Sequence, residues 1–206
     1  MAKEDKMSKN NKTVDRMQAV WNKLGGEEGV DKLLRGELAI VARARVFETW
    51  ITINLGTFIR VEQILHGLNI NGFSILGCVE DIFYKNSFTL ADRVCDTELV
   101  NISVQELGFE AAASYNNICK RAWKIGLDLC PAEVGPQLRL QYSHRPNGGC
   151  VDVAMKPIIN SGGSKCIFRV ESNAGGSRCL SVSSGDPNMK WNLHRRFVFV
   201  RRKSKE

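Results

Sequence analysis

The chain has 206 residues, a formal net charge of +7 and 43% hydrophobic residues, a composition typical of folded globular proteins and unlike that of disordered ones. Almost all of the net charge lies in the last seventeen residues, where seven Lys or Arg accompany one acid. The remaining 189 residues sum to +1, which excludes a protein that is basic over its whole surface.

The N-terminal residues and the cysteines indicate a cytoplasmic protein. Residues Met1 to Lys12 contain no apolar run, so no signal peptide is expected. No stretch approaches the roughly eighteen consecutive apolar residues of a membrane span. The seven cysteines are dispersed and include no Cys-x-x-Cys, which favours reduced thiols over disulfides and predicts neither a metal site nor a cofactor.

Two short helices are predicted after a disordered tail over residues 1–13. Apolar residues at helical spacing mark the first helix: Val14, Met17, Val20, Trp21 and Leu24. Gly25 and Gly26 end it, and a second helix begins at the acidic pair Glu27 and Glu28. The Trp21 helix is one candidate for a contact with a protein partner or with a second copy of the chain.

A mixed α/β part is predicted over residues 14–126, which include these two helices. β-branched and aromatic residues favour strands, and apolar residues three or four apart favour helices. After the two helices, the predicted elements are strands over 38–41 and 47–55, helices over 60–67 and 75–84, a strand over 99–104 and a helix over 111–125.

The chain after residue 127 reads as β-rich, because short apolar runs alternate with Gly-, Pro- and Asn-containing turns. Its predicted strands cover residues 138–142, 151–155, 166–171, 179–183 and 197–201. The turn Asn160-Ser161-Gly162-Gly163-Ser164-Lys165 lacks the spacing of a phosphate-binding loop, and a hairpin explains it better. We therefore predict an α+β protein whose β-rich part, residues 127–203, forms an antiparallel sheet or partial barrel and packs with the preceding part as one globule.

One group of residues invites a catalytic interpretation. His144, Cys150 and Asp152 fall within nine residues of one another. They would form a Cys-His-Asp nucleophile if the fold brought the three side chains within hydrogen-bonding distance. A Pro-Asn-Gly-Gly turn separates His144 from the other two, and a plain hairpin with a turn-facing His explains the same pattern. A cytoplasmic hydrolase or transferase with a site in the β-rich part is thus an alternative function.

The C-terminal residues suggest a binding surface. Trp191 lies among polar residues, where its ring would be either a stacking platform for a base or a hydrophobic lid on a barrel. The nearby cations would contact phosphates without reading sequence, although a basic tail also simply aids solubility. The candidate nucleic-acid-binding residues are Trp191, Arg195, Arg196, Arg201, Arg202 and Lys203.

Three segments carry a resemblance to other proteins: residues 20–30 (Val-Trp-Asn-Lys-Leu-Gly-Gly-Glu-Glu-Gly-Val), residues 127–142 and residues 196–202. The chain resembles, from about Arg16 to Lys203, a group of uncharacterised bacterial proteins with no assigned function. The resemblance implies a bacterial cytoplasmic origin and carries over no catalytic or binding residue. The function expected from the sequence is therefore non-catalytic binding, with nucleic acid as the first candidate ligand.

Overall fold

The computed structural model describes residues 2–38, 47–142, 149–172 and 177–202, with side chains from residue 13 onward. It divides the chain into two compact units, Met1–Ala44 and Arg45–Glu206.

The first unit is a helical hairpin of α1 (Ala2–Leu24) and α2 (Glu27–Leu34). Both predicted helices are present, but α1 begins at Ala2, so the segment predicted as a tail is helical. No Gly or Pro interrupts residues 2–24, which explains how the helix extends so far. At Gly29 an added Cβ would lie 1.6 Å from the Leu24 carbonyl oxygen, so the two helices meet where only glycine fits.

The second unit contains four helices and eleven strands within its described residues. The helices are α3 (Val61–Ile70), α4 (Val79–Phe83), α5 (Tyr115–Lys124) and α6 (Val134–Gln141). The first six strands are β1 (Ile51–Leu55), β2 (Ser74–Ile75), β3 (Cys95–Ser103), β4 (Ala113–Ser114), β5 (Leu127–Asp128) and β6 (Gly149–Val153). The others are β7 (Ile158–Ile159), β8 (Lys165–Ser172), β9 (Arg178–Ser184), β10 (Lys190–Trp191) and β11 (Arg196–Arg201).

Nine of these strands form one curled, mixed sheet, which confirms the predicted α+β class. The strand order is β1-β3-β11-β6-β8-β9-β2, with β5 added beside β11 and β7 beside β8. Most pairings are antiparallel, whereas β11 with β6 and β2 with β9 are parallel. Strand β11 lies between β3 and β6, so the end of the chain completes the centre of the sheet.

The core of this unit is built on β11 and the strands beside it. Phe197, Val198 and Phe199 are all inaccessible to solvent, as are Leu99 of β3 and Phe168 of β8. Consecutive buried residues on β11 show that both faces of this strand are covered, as expected for a central strand. The basic residues of the C-terminal segment therefore flank a strand with three consecutive fully buried residues.

Several predicted elements differ from the structure. The helix predicted over 111–125 begins only at Tyr115, and strand β4 precedes it. Residues 138–141 of the strand predicted over 138–142 belong to helix α6, which packs against β8, and Pro136 is tolerated in its first turn because the missing N–H costs no hydrogen bond there. The helix predicted over 75–84 shortens to α4, and the strand predicted over 47–55 shortens to β1. The predicted strand over 38–41 falls mainly outside the described residues.

Candidate nucleic-acid interface

The end of β11 lies beside the end of α5. Strand β5, which follows α5 directly, pairs antiparallel with β11 so that Val200 lies opposite Asp128 and Arg201 opposite Leu127. The backbone N–H of Arg202 then donates to the carbonyl of Gly126, at 3.1 Å. The basic residues at the end of β11 therefore lie next to the basic residues in the last turn of α5.

Trp191 is a buried residue. Its side chain is 7% exposed and meets the Phe197 ring edge to face, with ring centroids 5.3 Å apart. The pairing of β10 with β4 places Trp191 opposite Ala113, and the Arg195 guanidinium covers the indole at 5.2 Å. Of the two alternatives drawn from the sequence, this geometry matches a hydrophobic lid rather than an open stacking platform.

Arg195 belongs to a buried charge cluster. The Asp152 carboxylate is fully buried and accepts hydrogen bonds from Arg195 Nε at 2.6 Å, Arg169 Nε at 3.0 Å and the Ser183 hydroxyl. Burial raises the pKa of Asp152, while the Ser183 hydroxyl and the Arg195 guanidinium act in the opposite direction. The carboxylate thus joins β6, β8, β9 and the residue preceding β11.

Arg196 and Arg201 also have partners within the fold. Arg196 donates to both oxygens of Asn101, at 2.9 and 2.8 Å, and lies 3.1 Å from the Glu106 carboxylate. Arg201 lies 3.4 Å from the Glu98 carboxylate and donates to the carbonyl of Phe47. These contacts neutralise much of the positive charge that the sequence assigns to the segment.

Arg202 is placed differently, because its guanidinium lies over an exposed aromatic ring. It donates from Nε to both oxygens of Asp128, at 2.9 and 3.1 Å, and its Cζ is 5.1 Å from the centroid of the Trp123 ring. The Trp123 side chain is 64% exposed. Lys203, the next residue, lies outside the described residues.

Helix α5 presents this ring on a basic outer face. The Ser114 hydroxyl caps the helix by accepting from the N–H of Asn117, and the apolar row Tyr115, Ile118 and Ala122 is buried. The opposite face carries Lys120 and Lys124, and α5 contains no acidic residue. No ion pair among the described residues includes either lysine.

Sequence reasoning did not select Trp123. The signal was present, because Trp123 falls outside the apolar row of α5 and has a lysine on the same helical face three residues earlier. Its contact with Arg202 joins residues far apart in the chain and follows only from the pairing of β5 with β11. We call Lys120, Trp123, Lys124 and Arg202 the α5 basic surface.

The catalytic candidates do not form a described site. Cys150 and Asp152 alternate along β6, where they lie opposite Glu171 and Arg169 of β8. The Asp152 carboxylate is occupied by the two arginines and Ser183, and His144 lies outside the described residues. The enzymatic alternative therefore stays a sequence-based prediction.

Two further features bear on ligand binding. An open groove of about 970 Å³ lies between α3 and α6, with Phe58, His66, Gln137 and Gln141 among its lining residues. The Gln137 and Gln141 side chains already bond each other, at 2.8 Å, and Gln141 also bonds the backbone of Asn54. Among the residues with described side chains, no group of three or more His, Cys, Asp or Glu is arranged to hold a metal ion.

Comparison of the chain with protein-family models, with curated proteins and with solved structures gave no match. Within the described ranges, no helix has both the length and the apolar character needed to cross a membrane.

Proposed function

We propose that the protein binds nucleic acid without reading its sequence, through the α5 basic surface and Lys203, which follows Arg202 in the chain. The observation that carries the proposal is the exposed Trp123 ring, which lies under the Arg202 guanidinium on the helix that also carries the exposed Lys120 and Lys124. The proposal includes a cytoplasmic location, as expected from the sequence.

The rigidity of the aromatic platform supports this function. The Arg202 guanidinium bonds Asp128 and covers one part of the indole, so the ring has lost some of its freedom before a ligand binds. A flat aromatic face stacks on any base, and such a contact contributes about 1 to 3 kcal/mol per base. An unpaired base can reach the ring, whereas a base within a duplex cannot, so we expect single strands to bind more tightly than duplexes.

The charges around the ring suit a phosphate backbone. Lys120 and Lys124 are exposed, and α5 supplies no acid to compete with phosphate. Asp128 is the nearby acid in direct contact with the surface, and its charge is balanced by Arg202. Lysine contacts of this kind attract phosphate but carry no sequence information.

The residues that carry the proposal differ from those selected in the sequence. Trp191 is buried, and Arg195, Arg196 and Arg201 are engaged with Asp152, Asn101 and Glu98. Trp123 takes the role first assigned to Trp191, and the cationic contribution comes from Lys120, Lys124 and Lys203, while Arg202 is paired with Asp128 and covers the ring.

Stacking is tested by Trp123→Ala with a fluorescent single-stranded oligonucleotide in an anisotropy titration at low salt. Loss of one stacked base should raise Kd roughly 5- to 150-fold, corresponding to about 1 to 3 kcal/mol. The matched control is Tyr84→Ala, an aromatic with 61% exposure just after α4, which should leave Kd unchanged. Absence of binding by the wild type, or equal losses in both variants, would refute the proposal.

The charge contribution is tested by Lys120→Ser combined with Lys124→Ser. For single strands the logarithm of affinity falls with the logarithm of salt by about 0.7 per phosphate neutralised, so this double variant should reduce the slope by about 1.4. The control is Lys165→Ser with Arg93→Ser, two exposed cations outside the α5 basic surface. An unchanged slope in the α5 variant would contradict the assigned contacts.

A further inference from the structure

The hairpin of α1 and α2 exposes an apolar stripe along α1. Val14, Met17, Val20 and Trp21 are 59%, 68%, 52% and 41% exposed, and the half-buried Leu24 continues their row. At 100° per residue these five positions occupy a sector of about 120° on one side of the helix. Exposed apolar rows of this width mark surfaces that are covered by another element.

The two helices of the hairpin differ greatly in length. Helix α1 has 23 residues and is about 34 Å long, while α2 has 8 residues and is about 12 Å long. Near the turn, Trp21, Leu24 and Val30 line a small apolar groove of about 310 Å³. Because α2 is so short, it can lie beside only about a third of α1 within the hairpin. Val14 and Met17, one turn or more before Trp21, keep the highest exposure in the row.

The charges of the two helices are complementary. Helix α1 carries six Lys or Arg and three acids, and α2 carries three acids and one Lys. Two identical hairpins related by a two-fold axis would place the basic α1 of one copy against the acidic α2 of the other, twice. The same arrangement would bring the two apolar stripes into contact and form a four-helix bundle.

We infer that the apolar stripe of α1 is the interface for a second copy of this chain, which docks its own α1–α2 hairpin in antiparallel orientation. The interface is isologous, with apolar contacts at its centre and charge pairs between α1 and the partner copy's α2 at its edges. This inference concerns the first unit and is independent of nucleic-acid binding by the α5 basic surface.

The apolar contacts are tested by measuring the mass of the full chain by sedimentation equilibrium across a range of concentrations without nucleic acid. We expect a monomer–dimer equilibrium whose Kd rises more than about 100-fold in Met17→Glu combined with Val20→Glu. The matched control is Ala19→Glu, an exposed position on the opposite side of α1, which should leave Kd within a few-fold of the wild type.

The charge pairing is tested by two complementary variants. One carries Glu27→Lys and Asp31→Lys in α2, and the other carries Arg16→Glu and Lys23→Glu in α1. Each variant alone should dimerise more weakly than the wild type, and a mixture of the two should recover a dimer. Recovery only in the mixture identifies a second copy, because charge reversals would not restore binding to an unrelated partner.

Three outcomes would overturn the inference: a monomer at every concentration, a dimer that survives Met17→Glu with Val20→Glu, or failure of the mixed variants to pair. Sedimentation with vesicles of phosphatidylcholine and phosphatidylglycerol tests whether the stripe binds an anionic lipid surface instead. A chain that stays monomeric in solution but sediments with these vesicles through the same stripe would reassign the stripe to an anionic lipid surface.

Discussion

Replacing Asp152 by Asn should destabilise the second unit severely. The carboxylate is fully buried, and its two oxygens bond Arg195, Arg169 and Ser183. The amide keeps the shape of the side chain but removes its charge and leaves two guanidiniums without an acid. Breaking a buried ion pair by removing one partner costs about 3 to 5 kcal/mol.

The structure places the expected loss at the lower end of this range. The Arg195 and Arg169 side chains are 22% and 23% exposed, so water relieves part of the uncompensated charge. We expect a loss of about 3 kcal/mol in the free energy of unfolding, or roughly 6 to 12 °C in Tm for a unit of this size. Urea unfolding followed by circular dichroism measures the loss directly.

Asp128→Asn is the matched control for this experiment. Its pair with Arg202 is exposed, with side chains 42% and 37% accessible, and such pairs contribute about 0 to 1 kcal/mol. We therefore expect a clear difference in the free energy of unfolding between the two Asp→Asn variants. Equal and small losses would show that the Asp152 cluster does not hold β6, β8 and β9 together.

Two further predictions concern the loop before β8 and the packing of α6. Hydrogen bonds from the Ser161 hydroxyl and N–H lower the pKa of Asp81 from 3.8 to about 2, so the stability they provide is present above pH 3.8 and is lost as the pH falls through 2. Asp81→Asn should therefore reduce the fall in Tm between pH 4 and pH 2, as measured by thermal unfolding. An unchanged fall in Tm would contradict this assignment. At Gly135 an added Cβ would lie 2.5 Å from the Phe168 ring, so Gly135→Ala should lower the free energy of unfolding in urea by about 1 to 3 kcal/mol. The control Gly162→Ala, whose added Cβ would meet no atom closer than 3.5 Å, should lower it far less. Equal losses in the two variants would refute the packing argument.

Local patterns in the sequence predicted much of the fold. The apolar spacing of residues 111–125 indicated a helix facing the core, and Tyr115, Ile118 and Ala122 are buried although Ala111 is exposed. The turn chemistry around Gly162 and Gly163 correctly indicated a hairpin between β7 and β8. These features depend on neighbours within a few residues. By contrast, the alternation in residues 138–142 suits a short strand as well as a buried helix, and packing against β8 decides between them.

The candidate interface was harder to predict because its residues come from distant parts of the chain. Trp191 has polar neighbours in sequence, yet the pairing of β10 with β4 buries it against Phe197. Trp123 was predicted only as part of a helix, since the Arg202 guanidinium reaches it through the pairing of β5 with β11. Composition located the positive charge correctly but gave no information about which cations have acidic partners in the fold.

Photo-crosslinking locates directly where a single-stranded nucleic acid contacts the protein. A single-stranded oligonucleotide carrying 5-bromouracil is irradiated with the full chain at low salt, and the attached peptides are identified by mass spectrometry after tryptic digestion. We expect the main crosslink on Trp123, within the short peptide 122–124, and its loss in Trp123→Ala. A main crosslink on the first unit or on the groove between α3 and α6, or none at all, would contradict nucleic-acid binding by the α5 basic surface.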